Sequence, residues 1–475
     1  MMIGLVLPVL GIVSVTVVGV LAILPMKRSL QTVEFIALGF GVGSGAATLC
    51  FFIVSAMGVP LSGLTMALVL VAAILVLSAF QLVTKPDALR MPRMRFGKPS
   101  IGVVDGLLIL GIALVLASAA IIAIYWPPYT WDALAIWVGK ARAIAVSQTI
   151  QAIEHGGAHP YYPLHLPLEL SFFLNLTEVD RVKLLFPLYY AALLIMFGTT
   201  LDKLCHRVVG LGFTLGLATV PFLLYNAMIA YADLTFAFYY VSSTLLLYRF
   251  TKASDARERS DLLTLSGLMT GIAAWTRPEG PMYFAINCAV LMAFSLRKSV
   301  RPALLLEYGI AFAIFAIPWM MYARVAGHQN YLLEHLQATV REIVSLHIYW
   351  DRIWSILAYF GEQATDLGAW GGLWILSLFA LVLYPGRIRK DPFLATLIGL
   401  NILGLILTYY ATAASEARLG WWLMTGFNRM ALHFAPLLLF YCAISFNEDL
   451  ETWVARSRFM VKTMRNLAKR RALSQ

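Results

Sequence analysis

Long apolar runs separated by short polar punctuation make up most of this chain. Runs near the length a helix needs to cross a bilayer, roughly 20 residues, recur along it. They lie near 3–25, 34–57, 61–83, 103–125, 184–201, 208–225, 233–250, 262–277, 282–296, 303–322, 367–384, 393–413 and 430–446. About thirteen membrane helices are therefore expected. Continuous runs, with no dyad alternation, exclude a transmembrane β-barrel, so the predicted fold class is all-α, a polytopic membrane helix bundle. The first run lacks the basic leader and small-residue cleavage site of a removed signal peptide and is expected to stay.

Between the fourth and fifth runs the pattern breaks. From Tyr125 to Lys183 the chain is polar and aromatic: Trp126-Pro127-Pro128-Tyr129-Thr130-Trp131-Asp132, then Lys140 and Arg142, then His159-Pro160-Tyr161-Tyr162-Pro163-Leu164-His165-Leu166-Pro167. An interruption of this length inside a compact protein usually carries function. The apolar runs read as a scaffold that holds it at a membrane surface.

Composition agrees with that reading: 60% of residues are hydrophobic, 13% are charged, and mean hydropathy is +0.78, far outside the range of soluble domains. Cys50, Cys205, Cys288 and Cys442 are scattered singly and read as small core residues, not as a disulfide set or metal cluster. Charge supplies the topology. The segment holding Lys85, Arg90, Arg93, Arg95 and Lys98 against Asp87 reads as cytoplasmic by the positive-inside rule. Alternating the thirteen runs from there puts 26 of the 36 lysines and arginines inside and 10 outside, with the N-terminus out and the C-terminus in. The net charge of +11 then belongs to a rim facing anionic lipid, with no nucleic acid implied. Residues 1–100 read as N-terminal membrane helices, 101–446 as the functional membrane module and 447–475 as a basic cytoplasmic tail.

That topology gathers the chain's unusual charges on one outer face: Asp132, Glu169, Asp233, Arg277, Glu279, Arg341, Asp351, Glu416 and Arg429. Asp132, just past a span and flanked by Trp131 and Trp137, sits where a general base can serve a lipid and a polar acceptor. Taken alone, a helix N-cap ahead of Ala133-Leu134-Ala135 is the stronger local reading. Arg277 in Thr276-Arg277-Pro278-Glu279-Gly280 can hold a lipid phosphate or simply pair with Glu279 or snorkel. Arg429 poses the same choice, and Asp233 can cap its helix or face a site. Lys140, His159, Tyr162 and His165 are the loop's candidate substrate-binding groups. His159 and His165 could ligate a metal with Asp132 or Glu169, but their spacing is not a helical ligand pattern. No phosphate-binding loop, dinucleotide fingerprint or nucleophile elbow occurs, so no nucleotide cofactor is indicated.

An acid after an early span, a Tyr-Pro-rich stretch, Tyr231-Ala232-Asp233-Leu234, Thr276-Arg277-Pro278-Glu279-Gly280, and a late Arg429 followed by Pro436 together resemble the GT-C membrane glycosyltransferases. Within them the chain looks most similar to the dolichyl- or polyprenyl-phosphate-mannose and aminoarabinose type transferases, over roughly 125–440. The resemblance implies inverting transfer of a sugar from a polyprenyl-phosphate donor to a glycan, lipid or protein acceptor on the non-cytoplasmic face. The setting it implies is a bacterial inner membrane with the site facing the periplasm. Asp132 then matches the first-loop acid, the catalytic base; Asp233 matches the second acid; Arg277, where the family commonly has Lys, faces the donor phosphate. No cofactor is required, and a divalent metal is compatible. The first-loop acid follows the fourth span here, where the family has it after the first, so residues 1–100 look like an added segment. A transporter or flippase is the competing class. It would carry midplane charges and internal repeats, and neither is evident in the sequence. A ligase or polymerase of lipid-linked oligosaccharide shares the face and the donor chemistry.

Overall fold

The computed structural model describes residues 3–84, 102–155, 158–298, 302–328, 349–412, 416–447 and 449–450, and these are all-helical, without strands. The proposed cytoplasmic segment 85–100, Arg341 and nearly all of the tail fall outside them. In order the helices are α1 (Ile3–Ile23), α2 (Thr32–Ala56), α3 (Gly63–Thr84), α4 (Val103–Tyr125), α5 (Val138–Ser147), α6 (His165–Leu174), α7 (Leu185–Asp202), α8 (Arg207–Ala218), α9 (Pro221–Asn226) and α10 (Ala232–Lys252). There follow α11 (Ala256–Thr276), α12 (Gly280–Lys298), α13 (Pro302–Val325), α14 (Trp350–Thr365), α15 (Leu367–Trp370), α16 (Leu373–Leu383), α17 (Pro385–Lys390), α18 (Pro392–Thr412), α19 (Glu416–Leu432) and α20 (Ala435–Asn447).

Among the described residues, seven helices are long and apolar enough to cross a membrane, or eight if α19 and α20, bent by 46° at their junction, form one span. The protein is an integral membrane protein by this measure. Helices α3 and α4 are apolar all round yet barely buried, with Leu64, Val76, Val83 and Leu107 largely exposed. Such surfaces aggregate in water and are at home in hydrocarbon.

Several expected spans are broken. The run near 208–225 divides into α8 and α9, because Pro221 disfavours helix at Val220, which is extended. At 12 residues, α8 reaches only about 18 Å. The run near 367–384 divides at Gly371 and Gly372, both with positive φ, a conformation glycine adopts without strain.

The N-terminal helices are built into the bundle. A Cβ on Gly43 of α2 would come within 1.9 Å of the Val15 carbonyl oxygen of α1, so the two backbones touch, as small residues permit between membrane helices. The other face of α2 packs on α6, α7 and α11. Helix α10 is buried at every position from Ala232 to Phe250. It has no lipid-facing side, which is why it tolerates Asp233, Ser242, Ser243 and Thr244.

Candidate functional site

Two prolines define where the first part of the site begins. Residues before proline avoid the helical conformation, and Pro127 ends α4 by holding Trp126 extended. The chain re-enters helix at Trp131 and passes through a π-turn over Ala133–Trp137 before α5; such turns are frequent at functional sites. Asp132 is helical (φ −64°, ψ −33°) and its side chain makes no capping bond. The capping expectation therefore fails for Asp132. Its Oδ2 instead accepts a hydrogen bond from Nη1 of Arg429, at 2.5 Å.

Pro278 acts on Arg277 in the same way. Arg277 leaves α11 in an extended conformation (φ −145°, ψ 150°), and the turn returns Glu279 beneath its guanidinium. Nε and Nη2 donate to the two Glu279 carboxylate oxygens at 3.1 and 2.9 Å, while Nη1 donates to Asp233 Oδ1. Gly280 is required by crowding, since a Cβ there would stand 2.2 Å from Ala274 Cα.

Asp233, near the start of α10, is the hub. It caps nothing; besides Arg277 it accepts from Arg429 Nε at 2.9 Å and from His433 Nε2 at 3.3 Å. The result is one chain of ion pairs, Asp132–Arg429–Asp233–Arg277–Glu279, assembled from the long loop, α10, the α11–α12 turn and α19. Both guanidiniums are shared between carboxylates, the charge-assisted arrangement that makes such bonds strong. Arg277 therefore takes the Arg–Glu pairing weighed above, with a side chain only 5% exposed. Asp233 is fully enclosed, whereas Asp132 and Arg429 keep 19% and 18% exposure. That end is the more open one; at the other, the Glu279 side chain keeps 12%. Burial pushes the Glu279 carboxyl up, but the Arg277 guanidinium outweighs it and holds the carboxyl below its ordinary value.

The loop supplies an aromatic wall nearby. His159 stacks on Tyr162 (centroids 4.8 Å apart, planes 18°), and Tyr162 stacks on the buried Trp137 at 5.7 Å. Lys140 is almost fully buried, donates to the His159 carbonyl at 2.6 Å and lies 5.6 Å above the Tyr162 ring. Burial brings its ammonium down to about 7. Burial and then Lys140 lower His159, and burial raises Tyr162 to about 12. His159 adopts positive φ (58°), uncommon for a residue with a Cβ.

His165 belongs elsewhere. It is buried between Thr48 Oγ1, 2.8 Å from Nδ1, and the Tyr239 hydroxyl, 3.1 Å from Nε2, in a separate polar cluster with Glu169. No group of three or more His, Cys, Asp or Glu able to hold a metal occurs among the described residues; His159 is held by Tyr161, His165 by Thr48 and Tyr239. His433 was missed from sequence. Its signal was its position four residues beyond Arg429, on the same side of the continuing chain.

Compared with protein-family models, curated proteins and solved structures, the chain matches none.

Proposed function

We propose that the protein is an inverting glycosyltransferase of the GT-C type that moves a sugar from a polyprenyl-phosphate donor to an acceptor on the non-cytoplasmic membrane face. The observation that carries this reading is the meeting of Asp132, from the first long loop, with Asp233, from the start of α10, on the single guanidinium of Arg429. A sugar phosphate already carries its leaving group. The protein needs to deprotonate the acceptor and stabilise the departing phosphate. In this reading the acceptor oxygen attacks C1 as its proton passes to the free oxygen of Asp132. The C1–O bond to phosphate breaks, the pair leaves with the polyprenyl phosphate, and C1 inverts. Arg429, the more accessible of the network's two guanidiniums, faces that phosphate. Arg277 and Glu279 hold Asp233 and hence Arg429.

Thirteen spans belong to the same proposal, with α8–α9 and α15–α16 each counted as one broken span. Helices α10, α11 and α12, with 21, 21 and 19 residues, reach roughly 28–32 Å, and Ser242, Ser243, Thr244, Ser266, Thr270 and Asn287 along them are buried in the bundle, so low hydropathy is no bar to crossing. The site then faces the periplasm of a bacterial inner membrane. The test is transfer of labelled mannose, glucose or aminoarabinose from synthetic polyprenyl phosphates by the purified protein in nanodiscs. Absence of transfer with all donors refutes the reading.

A transporter remains the second reading because a titratable pair, His165 and Glu169, lies inside the bundle, where such residues often mark ion pathways. Substrate flux into proteoliposomes, without bond cleavage, would favour it.

A further inference from the structure

The Glu169 cluster lies apart from the ion-pair chain and is different in kind. Glu169 of α6 is 3% exposed. Its carboxylate oxygens meet the Ser44 hydroxyl of α2 at 2.5 Å and the Tyr189 hydroxyl of α7 at 2.7 Å. Ser44 also lies 2.9 Å from the Tyr189 hydroxyl, and Tyr189 extends the network to His165 and to Tyr239 of α10, each at 3.4 Å. Tyr239 donates onward to the Gly41 carbonyl, and Trp275 of α11 closes the far side through Thr48.

No cation among the described residues pairs with this carboxylate. Of the charged groups on elements packed against α6, Lys140 of α5 is committed to the His159 carbonyl and Arg142 is exposed. On the turn before α7, Arg181 pairs with Glu178 and Lys183 donates to the Met228 carbonyl. His165 is turned to Thr48 and Tyr239, and burial lowers it to about 3, so it stays neutral. An ionised carboxylate sealed without a cation is among the costliest arrangements in a protein interior.

We propose that Glu169 is a proton-binding site: it holds a proton in the folded protein below neutral pH, and release of that proton as the pH rises through neutrality loosens the junction of α2, α6 and α7. The balance is simple. The Oε–H bond breaks, the proton goes to water, and a bare carboxylate is left against Ser44 and Tyr189 with no counter-ion. Burial, against the opposing pull of the two hydroxyls, raises the acid to about 7. Nothing here depends on sugar transfer.

The experiment uses the full-length protein in nanodiscs, wild type and Glu169→Gln, with infrared spectroscopy and thermal melts from pH 5 to 9. The expected result is a protonated-carboxyl band that titrates near pH 7 and is missing from the variant. Melting temperature should fall with rising pH in the wild type and lose that component in Glu169→Gln, which keeps the shape of the neutral acid. A Glu169 that is ionised throughout predicts the reverse: no such band, and a variant destabilised at every pH. Either of these results overturns the proposal. Should Glu169→Gln fail to fold, Tyr189→Phe tests it instead. Loss of a donor to the ionised form should raise the titration point, and an unmoved midpoint counts against the site.

Discussion

Replacing Asp132 with Asn separates the two things this residue can do. The side chain makes no cap bond, so helix initiation at Trp131 should be untouched. What the fold loses is the charge in one hydrogen bond to Arg429, at a position still 19% exposed, and Asn retains an oxygen to accept it. Partial solvent screening limits that loss to about 1 kcal/mol. As a general base, however, the amide is useless, and removing such a group costs about 10²–10⁴ in rate, or roughly 3–5.5 kcal/mol of transition-state stabilisation. The activity loss should therefore exceed the stability loss severalfold. The assay is single-turnover sugar transfer from a polyprenyl-phosphate donor, run beside thermal melts of the same nanodisc preparation. Turnover within about threefold of wild type would refute the base, and destabilisation equal to the activity loss would make Asp132 a structural anchor for Arg429.

Arg277→Gln leaves Asp233 and Glu279 without the guanidinium they share, and should cost about 3–5 kcal/mol of stability, as broken buried pairs do; unchanged melting would show that the two acids find another partner. Lys140, lowered to about 7 from an ordinary 10.5, should contribute a rise in stability between pH 7 and 10.5, because there the unfolded chain binds the proton and the folded one does not. That rise should vanish in Lys140→Met, and its persistence would assign it to another group. For topology, Ser147→Cys should react with an impermeant maleimide on intact cells while Arg257→Cys reacts only after lysis; the opposite pattern inverts the orientation.

Class was legible from sequence because apolar runs at bilayer length have one physical use, and charge between them has a side to prefer. So were the ends of several elements. Pro127 and Pro278 act on the residue before them, a local steric effect that needs no fold to be read, and Pro278 thereby frees Arg277 from α11. Local reasoning failed where a side chain had two partners to choose from. At Asp132 a nearby N–H and a distant guanidinium competed, and Arg429, almost three hundred positions away, won because a charged donor binds a carboxylate more strongly than a backbone amide does. The site pattern also missed His433, and it grouped His165 with His159 because both lie in one stretch of loop. Tertiary packing parts them: His159 stands on the aromatic wall, while α6 carries His165 and Glu169 inward against α2. The glycines that let α1 touch α2 looked like ordinary residues of an apolar run. What they do depends on which backbone comes within 2 Å of their missing Cβ, and only the assembled bundle decides that.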